Sequence, residues 1–248
     1  MKFAVQLYSL RDMAQREGAE AVLRAVAEAG YDGVEFAGFY GKTPVQMKEL
    51  LEKYRLAPVS AHIGAAAVED NLPYIDALWI GYVCIPWAGP ETFASGQAYG
   101  AFIKETERAK VLLEARGVVL GYHNHAHEYE NGADFLGKLT GDAKIGAELD
   151  IFWATVAGKD AVQEMRRLSD RLVLVHIKEA AAVAPAERPQ PVERPQPVVG
   201  EGAIDMKGVF SEMKRQQIPW AILEVEQYPC PEREYLRRSL ENMKRLSE

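Results

Sequence analysis

Short apolar runs and longer amphipathic runs alternate along the chain. The apolar runs are Phe3–Leu7, Gly33–Ala37, Pro58–Ile63, Leu78–Trp87, Val118–Tyr122, Ile145–Ile151, Leu172–Ile177 and Ala221–Val225. Most are apolar at consecutive rather than alternate positions. That is how a strand covered on both faces reads, so the pattern predicts a parallel sheet sheathed in helices. Between the runs, apolar residues recur at helical spacing. Glu20–Ala29 places Val22, Leu23, Val26 and Ala27 on one face, with Gly30 as a stop. Thr43 caps and Pro44 opens a second helix whose stripe is Met47, Leu50, Leu51 and Tyr54. Similar patterns cover Ser95–Arg116, Ala133–Leu139, Asp160–Leu168, Asp205–Gln217 and Pro231–Leu246. Eight strands alternating with about eight helices match an α/β fold of the (β/α)8 barrel kind in count and length, as one domain over residues 1–248. An open doubly wound sheet is the alternative, but no GxGxxG follows the first strand.

One segment breaks this rhythm. Between the seventh and eighth strands, Ala180–Val199 contains a hexapeptide repeated once, Glu187–Val192 and Glu193–Val198, each ERPQPV. Proline at this density excludes helix and favours an extended arm. Either a slipped duplication has lengthened a surface loop, or the arm is a lid or an oligomer contact at the active-site end of the barrel. Its composition argues that it matters little to folding.

The charge balance, 29 basic against 36 acidic residues, gives a net −7. Such an anion repels a nucleic-acid backbone, and no basic run offsets it. The two cysteines, Cys84 and Cys230, form no CxxC pattern, which excludes a disulfide framework and a cysteine zinc site. No stretch approaches the about 18 apolar residues of a membrane helix, and the N-terminus turns polar too soon for a signal peptide. The expectation is a cytoplasmic protein with a small-molecule partner, with no nucleic-acid or membrane partner; a homo-oligomer is left open.

Candidate chemistry gathers where a barrel keeps its active site, at the carboxyl ends of the strands. His62 ends strand three, His123, His125 and His127 crowd the end of strand five, and His176 lies late in strand seven. Glu35, Asp150, Glu224 and Glu226 occupy matching places, with Gln6 and Tyr8 on strand one and Lys178 after strand seven. Period-two geometry puts His123 with His125, His176 with Lys178, and Glu224 with Glu226 on common faces. An ionised group on the helix-facing side is expensive to bury, so these must point into the barrel mouth. Strands five to eight then bring imidazole, carboxylate, imidazole and carboxylate together, a nitrogen and oxygen set suited to one divalent metal (Mn, Co, Fe or Zn). Several of these residues also fit plainer roles. His62 could be structural, Glu35 could pair with Arg11, and His127 and Glu128 read as solvated loop residues.

The segments YHNHAHEY, ELDIFW, LVHIKE, VGEGAIDMKGVF and ILEVEQ, with the opening VQLYSLR and GYDGVEFAG, resemble the sugar phosphate isomerase/epimerase family. This is the xylose-isomerase-like group, which includes inosose dehydratases, ketose 3-epimerases, hydroxypyruvate isomerases and a DNA-repair AP endonuclease branch; a non-catalytic sugar-binding barrel, or less readily an enzyme of that DNA-repair branch, is the alternative reading. The resemblance implies a TIM barrel with one divalent metal held by Asp150, His176 and Glu224. In the epimerase branch the fourth ligand is a strand-five glutamate, and counting from Gly117 places His123 there; whether His123 or His125 replaces it is open. This departure from a glutamate pair favours a one-base reaction, such as dehydration of a keto-sugar, over plain 3-epimerisation. The chemistry implied is proton abstraction beside a carbonyl, with His125 or Glu226 as base. Imidazole is expected to be poised near neutrality. Lys178 would hold an oxyanion or a ligand carboxylate. Trp87 and Trp153 offer flat faces to a sugar ring, and Gln6, Tyr8, Glu35, His62 and Glu201 complete the expected substrate contacts.

Overall fold

The computed structural model describes residues 1–182 and 195–248, so most of the repeat lies outside the described residues. Eight parallel strands close into a barrel in chain order: β1 Lys2–Gln6, β2 Gly33–Phe36, β3 Ala57–His62, β4 Tyr82–Ile85, β5 Val119–His123, β6 Gly146–Asp150, β7 Leu172–Ile177 and β8 Trp220–Leu223. The first strand pairs with both the second and the eighth, which completes the ring. Each predicted apolar run overlaps one strand.

Boundaries differ from the apolar runs where the chain turns. The fourth run begins too early, because Val68–Leu78 is a helix and Trp79 ends it at φ 60°. Pro73 inside that helix and its mixed polarity hide it from a periodicity reading. The helices Arg11–Glu17 and Ile151–Val156 are too short to show a repeat. Thr43 caps the helix Pro44–Tyr54 as expected, in a capping box with Gln46.

Apolar residues form two separate cores. The larger lies between the strands and the helices around them. The smaller, Ala4, Val59, Cys84, Leu174 and Ile222, comes from strands alone and plugs the barrel interior. Gly146 leaves the space that Val173 fills, since a Cβ there would meet Val173 Cγ2 at 2.7 Å.

Above the plug the interior becomes polar. Glu35 and Glu148 each follow a register shift in the pairing, between Val34 and Glu35 and between Ala147 and Glu148. Such irregularities re-aim side chains beside functional sites.

Candidate active site

The polar layer starts with Glu35, wholly buried. Its carboxylate accepts from Gln6 Nε2 at 2.7 Å and Ser60 Oγ at 2.5 Å, and lies 2.7 Å from His176 Nε2. Arg11 is not its partner. That guanidinium sits over the Tyr8 ring at 4.4 Å and donates to the carbonyls of Tyr8 and Glu226. Glu148 is the other buried carboxylate of this layer, with Oε2 at 2.7 Å from His62 Nε2 and Oε1 at 3.3 Å from His176 Nε2. It is absent from the residues expected at the site. It lies two residues before Asp150, so the period-two rule that groups the other strand-end residues also reaches it.

His176 links this layer to the next. Its Nδ1 is 2.6 Å from Glu224 Oε2. Burial opposes a charge on this ring, but Glu148 and Glu35 outweigh burial and raise its pKa well above the ordinary value. Burial likewise opposes the charge of Glu224, yet Lys178 and then His176 hold its carboxyl well below the usual range. Burial lifts Asp150 to about 7, against the opposing pull of Lys178 and His176.

Lys178 is fully buried just past β7. Its ammonium is 2.5 Å from Glu226 and 3.6 Å from Glu224, and packs over Trp153 at 4.7 Å. Desolvation works against that charge, but Glu224, Asp150 and Glu226 raise the lysine's pKa.

Single ligand atoms of His123, Asp150, His176 and Glu224 all lie within 4.8 Å of one another. His123 Nδ1 and Asp150 Oδ2 are buried with no hydrogen-bond partner. Two buried polar atoms without partners inside one four-residue cluster are what a cation would satisfy. A second set, His62, His123, Glu148 and His176, is equally close; a hydrogen bond joins His62 to Glu148, whose Oε1 is also buried without a hydrogen-bond partner.

A pocket of about 500 Å³ opens above the cluster, with His123, His125, Glu224 and Glu226 below and Trp87, Trp153 and Tyr8 around it. Gln6 and His62 also reach it. Glu226 and Glu224 both lie beyond the end of β8, and His125 beyond the end of β5. The rings of Trp87 and Trp153 are centred 4.7 and 5.3 Å from His125. This burial corrects the expectation of a histidine poised near neutrality: desolvation, and next the neighbouring His123, lower His125 to about 2. Glu201 does not join the group. It is exposed and pairs with Arg238 at 2.7 Å.

His127 and Glu128 are not solvated loop residues. Glu128 is fully buried, and accepts from Tyr122 Oη at 2.6 Å and from the His125 backbone N–H at 2.8 Å. His127 Nε2 lies 2.7 Å from the Ala88 carbonyl. The loop after β5 is therefore pinned from beneath.

Fold, cluster and pocket define an α/β barrel with a polar centre at its strand ends suited to a metal. The profile of the xylose isomerase-like TIM barrel family matches residues 23–246, and the chain belongs to that family. Among its relatives is an inosose dehydratase of Geobacillus kaustophilus, 23% identical over 85% of this chain and 81% of that protein. A sugar phosphate isomerase/epimerase from Parabacteroides distasonis superposes with a TM-score of 0.77 at 18% identity, covering 100% of this chain and 96% of its own. A probable 3-DHS dehydratase from Bacillus anthracis gives 0.76 at 15% identity, covering 98% and 99%. Among the described residues, no helix is long and apolar enough to cross a membrane.

Proposed function

We propose that this chain is a divalent-metal-dependent enzyme that removes the proton next to a carbonyl of a sugar or cyclitol. Isomerase, epimerase and dehydratase outcomes all begin with that step, and dehydration of a keto-sugar is the reading favoured. The observation that carries it is the convergence of two imidazoles and two carboxylates under an aromatic-walled pocket, two of their atoms buried without partners. His123, Asp150, His176 and Glu224 are the residues that would hold the metal, and a set without sulfur suits Mn²⁺, Co²⁺, Fe²⁺ or Zn²⁺. Bound there, such a cation supplies Lewis-acid polarisation of the substrate carbonyl.

The remaining residues divide the work of moving a proton. Glu226 lines the pocket, and Lys178 fixes its Oε1 while Oε2 has no hydrogen bond among the described residues. Its carboxylate takes the proton from carbon and returns it to the departing β-hydroxyl, which leaves as water. One base thus completes the elimination, in keeping with a histidine at His123 where a glutamate pair would need a second acid. His125, held neutral by burial, hydrogen-bonds a substrate hydroxyl, and Trp87 and Trp153 present apolar faces to the ring.

The test is elemental analysis of the purified protein, followed by incubation of pooled ketoses and inososes in heavy water. One divalent metal per chain, with deuterium incorporation or loss of about 18 Da from one substrate, is expected. A metal-loaded protein that neither exchanges a proton with any of them nor dehydrates any of them would refute the catalytic reading and leave a sugar-binding barrel.

A further inference from the structure

The chain beyond β8 carries Glu224 and Glu226, yet it has left the sheet and needs other partners for its backbone. Glu224 N–H still donates to the Ile177 carbonyl at 3.2 Å. Val225 N–H donates to Ser9 Oγ at 3.0 Å. The next two amides, of Glu226 and Gln227, both donate to a single atom, Oε1 of Gln196, each at 2.9 Å. Gln196 N–H in turn donates to the Gln227 carbonyl at 2.9 Å, and the residue is only 2% exposed.

Gln196 belongs to the second ERPQPV copy. The residues after it are docked as firmly. Tyr235 Oη donates to the Pro197 carbonyl and Asn242 to that of Val199, and Val198 and Val199 are buried. Glu179 ties the two ends of the arm together, accepting from the backbone N–H groups of Ala180, Gly200 and Ile204. This corrects the expectation that the whole of Ala180–Val199 is dispensable: its returning end is part of the packed fold.

We propose that Gln196 is a positioning residue for the Lys178–Glu226 pair, and that one copy of the hexapeptide is enough to supply it. By gripping both amides, Gln196 fixes the peptide from which the Glu226 side chain reaches Lys178 Nζ. Lys178 then stands between Glu226 and Glu224. The catalytic consequence rests on the function proposed above; the gripping of the two amides does not. Removing Glu187–Val192 yields the same polypeptide as removing Glu193–Val198, since either leaves one ERPQPV followed by VGEG. Six residues can therefore go while the grip stays, whereas one side chain cannot.

The experiment compares the full chain, the chain lacking Glu187–Val192, and Gln196→Met and Gln196→Glu made in both. Met keeps the length and loses the acceptor; Glu keeps an acceptor oxygen. Hydrogen exchange at the amides of Glu226 and Gln227, bound metal, and turnover are measured on each. The shortened chain should keep both amides protected, with kcat within about twofold of the full chain. Gln196→Met in the shortened chain should speed exchange at those two amides about a hundredfold. It should retain metal and lower kcat about tenfold with KM little changed. Gln196→Glu should restore the protection. Amides that stay protected in Gln196→Met, or that lose protection in the shortened chain, overturn the proposal. If no substrate reacts with any variant, the catalytic reading fails, while the exchange data still decide whether Gln196 holds these amides.

Discussion

Asp150 has two oxygens with two different tasks, and one pair of substitutions separates them. Oδ1 caps the helix Ile151–Val156 by accepting from the Trp153 N–H at 2.9 Å, while Oδ2 is the buried atom without a partner. Asparagine is as good a helix cap as aspartate but removes the charge, whereas alanine removes both functions. Without metal, Asp150→Asn should melt within about 1 °C of the parent, because asparagine preserves the cap. Asp150→Ala should lose about 1 kcal/mol with the cap, which in a domain of this size lowers Tm by about 2–4 °C. With metal the ranking changes. A cation at a hundred times its Kd adds about 2.7 kcal/mol, or about 5–10 °C in Tm for the parent. Both variants should lose that gain. The assay is thermal unfolding with chelator and with added Mn²⁺, Co²⁺ or Zn²⁺, alongside elemental analysis. An Asp150→Asn protein that keeps one metal per chain and the full rise in Tm would refute Asp150 as a ligand. An equal loss in both variants without metal would refute the cap.

Three further outcomes follow from the same site. His123→Ala should arrive depleted of metal, whereas His125→Ala should keep its metal and lose roughly tenfold to a hundredfold in rate with its hydrogen bond to the substrate; the reverse pattern in metal analysis and turnover would exchange their roles. Because burial raises Asp150 to about 7 in the metal-free protein, a proton must leave on binding below that pH, and apparent metal affinity should fall at least about tenfold per unit of pH under 7. Calorimetric titrations from about pH 5.5 to 8 check this, and a flat profile would contradict it. Glu128→Ala leaves the Tyr122 hydroxyl and the His125 amide without their shared acceptor, so stability should fall by about 1–3 kcal/mol in denaturant unfolding, with turnover falling in parallel.

The order of the barrel was legible because its strands are apolar on both faces, a pattern that a sheet covered on both sides produces and a half-exposed sheet does not. The cluster was legible because histidines and acids sit at the ends of apolar runs, where burial is costly without a purpose. Glu148 is masked for a related reason: Asp150 on the same strand already accounts for the polarity of ELDIFW. The surroundings of His125 could not be read, since its proton affinity depends on two tryptophans 66 residues apart in sequence. Glu128 and Gln196 escape as well. Both sit in segments whose composition reads as solvated; Glu128 is buried as the acceptor for Tyr122 Oη and the His125 N–H, and Gln196 as the acceptor for the distant amides of Glu226 and Gln227. Helix Val68–Leu78 is hidden by its internal proline, which the first turns of a helix tolerate better than the middle.

The small interior core of Ala4, Val59, Cys84, Leu174 and Ile222 has a kinetic meaning. It stops the barrel like a cork, so among the described residues the cluster above it opens only toward the mouth. If the proposed function holds, a cation coming in, the protons it displaces and any released water would share with the substrate the pocket lined by Trp87 and Trp153. A molecule seated there would bar the way out. Chelators should therefore strip the metal from the empty protein faster than from the protein with its ligand bound, even when that ligand never touches the cation.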